Sequence, residues 1–269
     1  MAHYFLVCLT VVNSFTFNFK MRFRNFLITA IIGIILINTV FNAVFDTHFP
    51  MKIKDEIFDQ YLEEKGEVDY LIVGDSHPMD GIYPDILNNT FNYGVGGESY
   101  IELYYRLENI LSTNTINHVL LEIDYIMTLR AATERFESRS YYYPNIPLSD
   151  VVEITGQNVI QGWISKNIGW IGKGQMFGLL LYNSNIQSDG SMYGSTKKMN
   201  LNDNKANNLD VDLNSKHYFS KTLKLLEENN VSYSYIIYPT TDIEYLAQNS
   251  SIIQDHYKFI YSHNPNITV

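Results

Sequence analysis

The chain has 269 residues, 46% of them hydrophobic, and a formal net charge of -10. That length suits one sizeable α/β domain, or a domain plus an anchor, and an acidic chain without a basic cluster excludes a protein that tracks a nucleic-acid backbone. The single cysteine, Cys8, excludes an internal disulfide framework and a cysteine-based zinc site. Seven histidines stand singly, with no His-x-x-x-His pair. Carboxylates alone remain as candidate metal ligands, and no metal is expected. The 21 tyrosines suit a polar ligand such as a sugar, and AT-rich coding bias gives the same composition.

The first predicted element is the uncharged run "NFLITAIIGIILINTVFNAVF", residues 25–45. At ~1.5 Å per residue it spans roughly 30 Å, the hydrocarbon thickness of a bilayer. Asn38 and Asn42 weaken the run, and a signal peptide or a buried core helix are the other readings. No small-residue cleavage site follows, so an uncleaved anchor is expected. Lys20, Arg22 and Arg24 precede it and Asp46 follows. The positive-inside rule then keeps residues 1–24 cytoplasmic and exports the rest. Met21, opening "RFRNFLI", reads as an alternative start.

Residues 46–67 are expected to form a stalk or first helix, and 68–269 an α/β domain. Residues 68–73 read as a buried strand closed by Gly74, and 91–93 as a short second strand running into "GVGG". In "YIELYYRLENILS", Leu103, Leu107, Ile110 and Leu111 fall on one helical face. "HVLLEI", residues 118–123, is the next strand. Residues 125–210 read as an insertion over the active edge, with turn-rich, glycine-punctuated and solvated stretches. A helix over 215–228 with Phe219, Leu223 and Leu226 on one face, a strand over 231–238 and a helix over 254–262 follow. The closing "NITV" reads as the start of one more strand, and the domain as truncated at its C-terminus. Strand, turn, helix, strand at short spacing predicts parallel βαβ units in one sheet flanked by helices.

"IVGDSH", then "NYGVGGES", then "VLLEID" resembles the SGNH (GDSL-like) hydrolase superfamily, over residues 68–126 and more weakly 231–241. The similarity is to its membrane-anchored, cell-envelope branch of polysaccharide O-acetyltransferases and teichoic-acid D-alanylation proteins. The resemblance implies a flavodoxin-like three-layer fold, Ser76 as nucleophile, and an oxyanion hole from the amides of Ser76 and Gly97. Gly94 and Gly96 permit the turn. Asp75, His77, Asn92 and Asp124 are supporting residues, with Asp75 capping the turn or orienting the loop. It implies an envelope glycan or acyl donor as substrate, a membrane-bound acyltransferase as candidate partner, and no cofactor. The chemistry agrees. A strand-to-helix turn exposes a hydroxyl beside backbone N–H donors, and glycines let an acyl group approach the chain.

Two departures stand out. Asp124 occupies the place of the family's third-block asparagine, and an ionised carboxylate cannot donate to an oxyanion. The family's final Asp-x-x-His, which activates the serine, has no counterpart here. His77 is expected as a loop or substrate contact, His118 at the surface, and His217, His256 and His263 in solvent. Three functions follow: a serine esterase or O-acyltransferase; a non-catalytic envelope protein binding a glycan or a membrane partner; and, disfavoured, a phosphate binder. Glu98 directly after the glycines, with no Lys or Arg near in sequence, argues against the last.

Overall fold

The computed structural model describes residues 22–40, 50–82, 84, 87–128, 136, 145–167, 188–190, 212–237 and 250–263. The chain divides into two units, Met1–Asp46 and Thr47–Val269.

The first unit contains helix α1, Arg22–Val40, which is long and apolar enough to cross a membrane. Thr29 and Thr39 donate their hydroxyls to the carbonyls of Asn25 and Ile35, each at 2.9 Å. These polar groups are thus satisfied within the helix, as an apolar surrounding requires. Residues 41–45 of the expected anchor, and 1–21, lie outside the described residues.

In the second unit, α2 (Pro50–Lys65) leads into β1 (Val68–Val73). Gly66, at φ +80°, takes the left-handed turn that ends the helix. The short α3 (Ser76–Gly81), β2 (Thr90–Asn92), α4 (Tyr100–Thr113) and β3 (Ile116–Glu122) follow. A 3-10 turn at Tyr125–Thr128 leads on to α5 (Leu148–Thr155) and α6 (Val159–Asn167). Helix α7 (Leu213–Glu228), β4 (Ser232–Ile236) and α8 (Ser250–His263) complete the described elements.

The four strands form one parallel sheet in the order β2-β1-β3-β4. The expectation of a parallel α/β sheet flanked by helices is met. Leu71 registers with Phe91, Val73 with Leu121, and Leu121 with Tyr235, so these side chains share one face. Helix α2 meets that face through Phe58, whose ring lies 4.9 Å from Phe91, and α7 through Phe219, 6.2 Å from Tyr235. Helices α4 and α7 pack together, with Tyr100 4.9 Å from Phe219. Leu103, Leu107, Ile110, Phe219, Leu223 and Leu226 are all buried, while Leu111 is only partly so.

Part of the expected insertion is helical. Within 125–210 lie α5, which buries Val151 and Ile154 and stops at Gly156 with φ +67°, and α6. Asp189 in the same insertion accepts a hydrogen bond from the Asn92 amide at 2.8 Å, beside β2. Residues 129–135, 137–144, 168–187, 191–211, 238–249 and 264–269, "NITV" among them, lie outside the described residues.

Candidate functional site

The chain leaves β1 for β2 on one side and then crosses to β3 on the other. The sheet therefore has its topological switch point between β1 and β3, and the crevice at their carboxyl ends is where an open α/β sheet binds ligands. The candidate residues converge there. Asp75, Ser76 and His77 follow β1, while Glu122 ends β3 and Asp124 follows it.

Asp75 is the N-cap of α3, and its carboxylate accepts from the His77 amide at 2.8 Å. Ser76 sits half-buried at the first helical position. The second block lies against it. A Cβ placed on Gly96 would stand 3.8 Å from Ser76 Cβ, and one on Gly94 would meet Met79 N at 2.7 Å and Asp75 O at 3.1 Å. Gly94 is thus glycine because α3 leaves no room for a side chain. Gly97 follows at φ +68°. Asn92 braces both segments: its carboxamide donates to Pro78 O at 2.6 Å and Ile82 O at 2.9 Å, and accepts from Gly94 N at 3.0 Å. Its role is to tie α3 to the glycine loop.

His77 Nδ1 stands 3.0 Å from Asp75 Oδ1, 3.3 Å from Glu122 Oε1 and 3.5 Å from Asp124 Oδ2. All three carboxylates are buried, and the imidazole is half-buried. Glu122 Oε2 also accepts from the Asp75 amide at 2.6 Å. The Asp75 carboxylate, then that of Glu122, close beside the ring, raise the His77 pKa well above the ordinary histidine range, against the smaller opposing effect of burial. Burial raises that of Glu122. His77 therefore keeps its proton through neutral pH and is no base for Ser76 in this arrangement. Ser76 Oγ has no hydrogen-bond partner among the described residues. Asp124 lies beside His77, so its carboxylate acts on the imidazole.

Two buried cations stand behind the glycine loop, which corrects the expectation that none is near. Lys54, from α2, donates to the carbonyls of Gly94 and, at 3.4 Å, Asn92. Burial, then the nearby Arg106, pull its pKa down to about 7. Arg106, from α4, pairs with Glu98, donates to Tyr93 O and lies 4.7 Å over the Tyr93 ring. Both hold the loop from behind, so the phosphate reading gains nothing from them.

The histidines divide differently from expectation. His256 is fully buried, not solvated, and its Nε2 donates to Ile123 O at 3.3 Å. Burial pulls its pKa down to about 4. Ile260, one turn on, is buried as well, so this face of α8 is turned inward. His118 is half-buried toward the opposite end of the strands, with Nε2 2.9 Å from Ser234 Oγ. His217 and His263 are exposed.

Glu122 and Lys54 escaped the sequence reading, and each left a signal. Glu122 is the one charged side chain in "INHVLLE", and with Asp124 it repeats the i, i+2 spacing of Asp75 and His77. Lys54 shares a helical face with Phe58 and Tyr61, at i, i+4 and i+7. No family model, curated protein or solved structure matches the chain.

Proposed function

We propose that the protein is a membrane-anchored SGNH-type serine acyl-transfer enzyme, an esterase or O-acyltransferase acting on cell-envelope polysaccharide. The observation that carries this reading is Ser76 itself. It follows the strand at the switch point, opens a short helix, and has a side-chain-free glycine loop packed against it. In the reaction Ser76 Oγ attacks the acyl carbonyl, and the amides of Ser76 and Gly97 receive the oxyanion. The ester C–O bond then breaks, and the departing alcohol takes a proton. Water or a glycan hydroxyl next removes the acyl group from the serine. The resemblance assigns the Ser76 proton to the histidine of an Asp-x-x-His block, which this sequence does not contain. His77, held by Asp75, Glu122 and Asp124, fixes the turn that presents the serine. The Lys/Arg flank of α1 supports export of the second unit.

The second reading is a non-catalytic protein of the same fold that binds a glycan or a membrane partner. The commitment of His77 Nδ1 to three carboxylates favours it, because a serine without a base is a weak nucleophile. An activated-ester or fluorophosphonate probe on the full chain separates the two. The expected result is labelling at Ser76 that disappears in Ser76→Ala. Labelling that survives the substitution moves the nucleophile elsewhere. A folded chain that takes no label supports the binding protein.

A further inference from the structure

Three carboxylates and one imidazole meet at the crevice, and the one hydrogen on Nδ1 cannot reach all three carboxylates. Nδ1 carries at most one hydrogen, yet Asp75 Oδ1, Glu122 Oε1 and Asp124 Oδ2 lie 3.0, 3.3 and 3.5 Å from it. Glu122 Oε1 is buried and meets no hydrogen-bond geometry. Neither Asp75 nor Glu122 has a Lys or Arg ion pair among the described residues. Counted as ionised, the four groups alone carry a formal charge of -2 (three carboxylates against one imidazolium).

We propose that Asp75, His77 and Glu122 form a binding site for one borderline divalent cation, Zn²⁺ or Mn²⁺, which takes the place of the Nδ1 proton, with Asp124 adding negative charge beside the ring. The ligand atoms of Asp75, His77 and Glu122 lie within 4.8 Å of one another. Around one ion with bonds of about 2.0–2.2 Å, neighbouring ligands stand roughly 2.9–3.5 Å apart. The distances from Nδ1 to Asp75 Oδ1 and Glu122 Oε1 fall in that range. The carboxylates are also pre-positioned: the Asp75 amide holds Glu122 Oε2, which leaves Oε1 turned to the ring, and Asp75 is fixed by the His77 amide. An imidazole nitrogen among the ligands disfavours Mg²⁺ and Ca²⁺, which take oxygen. The ion brings the local formal charge from -2 to -1 (three carboxylates, neutral imidazole, one divalent cation). This site stands in place of the expectation that the chain holds no metal.

The test uses the full chain in detergent, stripped with a chelator and titrated with Zn²⁺ or Mn²⁺. One ion per chain is expected, and His77→Gln and Glu122→Gln should each weaken binding by about 10–100-fold. Asp69→Asn, a change near the opposite end of β1, should not. Pulsed EPR of wild-type protein with Mn²⁺ should show a directly coordinated imidazole nitrogen, a readout that survives if the variants fail to fold. No binding up to about 100 μM metal, far weaker than structural sites, overturns the proposal. So does an EPR signal without nitrogen, or affinity unchanged in both folded variants. None of these measurements reads acyl transfer, so loss of the Ser76 assignment would leave the site standing.

Discussion

A carboxylate at the end of a buried strand is costly unless something holds it, and Glu122 is held partly by what Gly74 lacks. A Cβ on Gly74 would overlap the Glu122 carboxylate and lie 2.5 Å from Glu122 Cβ and 2.8 Å from Pro78 Cγ. Gly74 also has φ +151°, which strains any other residue. Gly74→Ala is therefore expected to destabilise the second unit by at least about 2 kcal/mol, read as a lower urea midpoint. A change within about 0.5 kcal/mol would show that Glu122 moves freely. His256 makes a pH prediction. Its folded pKa, about 4, lies below the ordinary histidine value. Between those values the unfolded chain binds a proton that the folded chain excludes, so this contribution is fully present above about pH 6.5 and is lost as pH falls toward 4. His77 and Glu122, both raised, act in the opposite sense, losing stability as pH rises. The wild-type minus His256→Asn difference isolates the term, and it should shrink by on the order of 3 kcal/mol from pH 7 to pH 4. A pH-independent difference would place the ring in water. The position of Asp75, Ser76 and His77 at the turn after β1 was legible because the three are contiguous. The burial of His256 was not, because it depends on an element packed from far along the chain.

The strands and the helices with a clear apolar face were legible, and the two short helices of the insertion were not. The strand at Val68–Val73 and the helices Tyr100–Thr113 and Leu213–Glu228 match their expected spans within two residues. Their apolar positions alone fix the buried side. Helices α5 and α6 have 8 and 9 residues, too few turns for periodicity to stand out beside aromatic and glycine-rich neighbours. The start of α4 had a local signal as well. Ser99 and Glu102 form a capping box, in which Ser99 N donates to Glu102 Oε2 at 2.8 Å. Helix α2 connects to the site through one side chain. Lys54→Met would leave the carbonyls of Gly94 and Asn92 without that donor, at an expected cost of about 1–3 kcal/mol. It should also speed amide exchange at Gly94, Gly96 and Gly97. Stability loss without faster exchange there would make Lys54 a core residue with no hold on the loop.

The molecule as a whole joins a sheet whose switch point gathers the chemistry to a helix suited to a bilayer. Strand order was not written in any single segment. It emerges because β1 pairs with partners on both sides, and that central position brings Asp75 beside Glu122. A helix long and apolar enough to cross a membrane, by contrast, was legible from composition, since bilayer thickness sets a length that few soluble helices reach without a charge. In α1 the side chains of Phe26, Ile31, Ile35 and Leu36 are exposed within the chain, and such an apolar surface is stable only against lipid or a partner. The full chain is therefore expected to sediment with membranes and to leave them only with detergent, not with high salt or alkali. Arg22 and Arg24 at the start of the helix favour a cytoplasmic N-terminus. Protease added to the outer side of intact cells should then cut after the helix and leave a tag at the N-terminus protected. Release by salt would make the attachment peripheral. Loss of the N-terminal tag with an intact second unit would reverse the orientation, and with it the case for a substrate in the envelope.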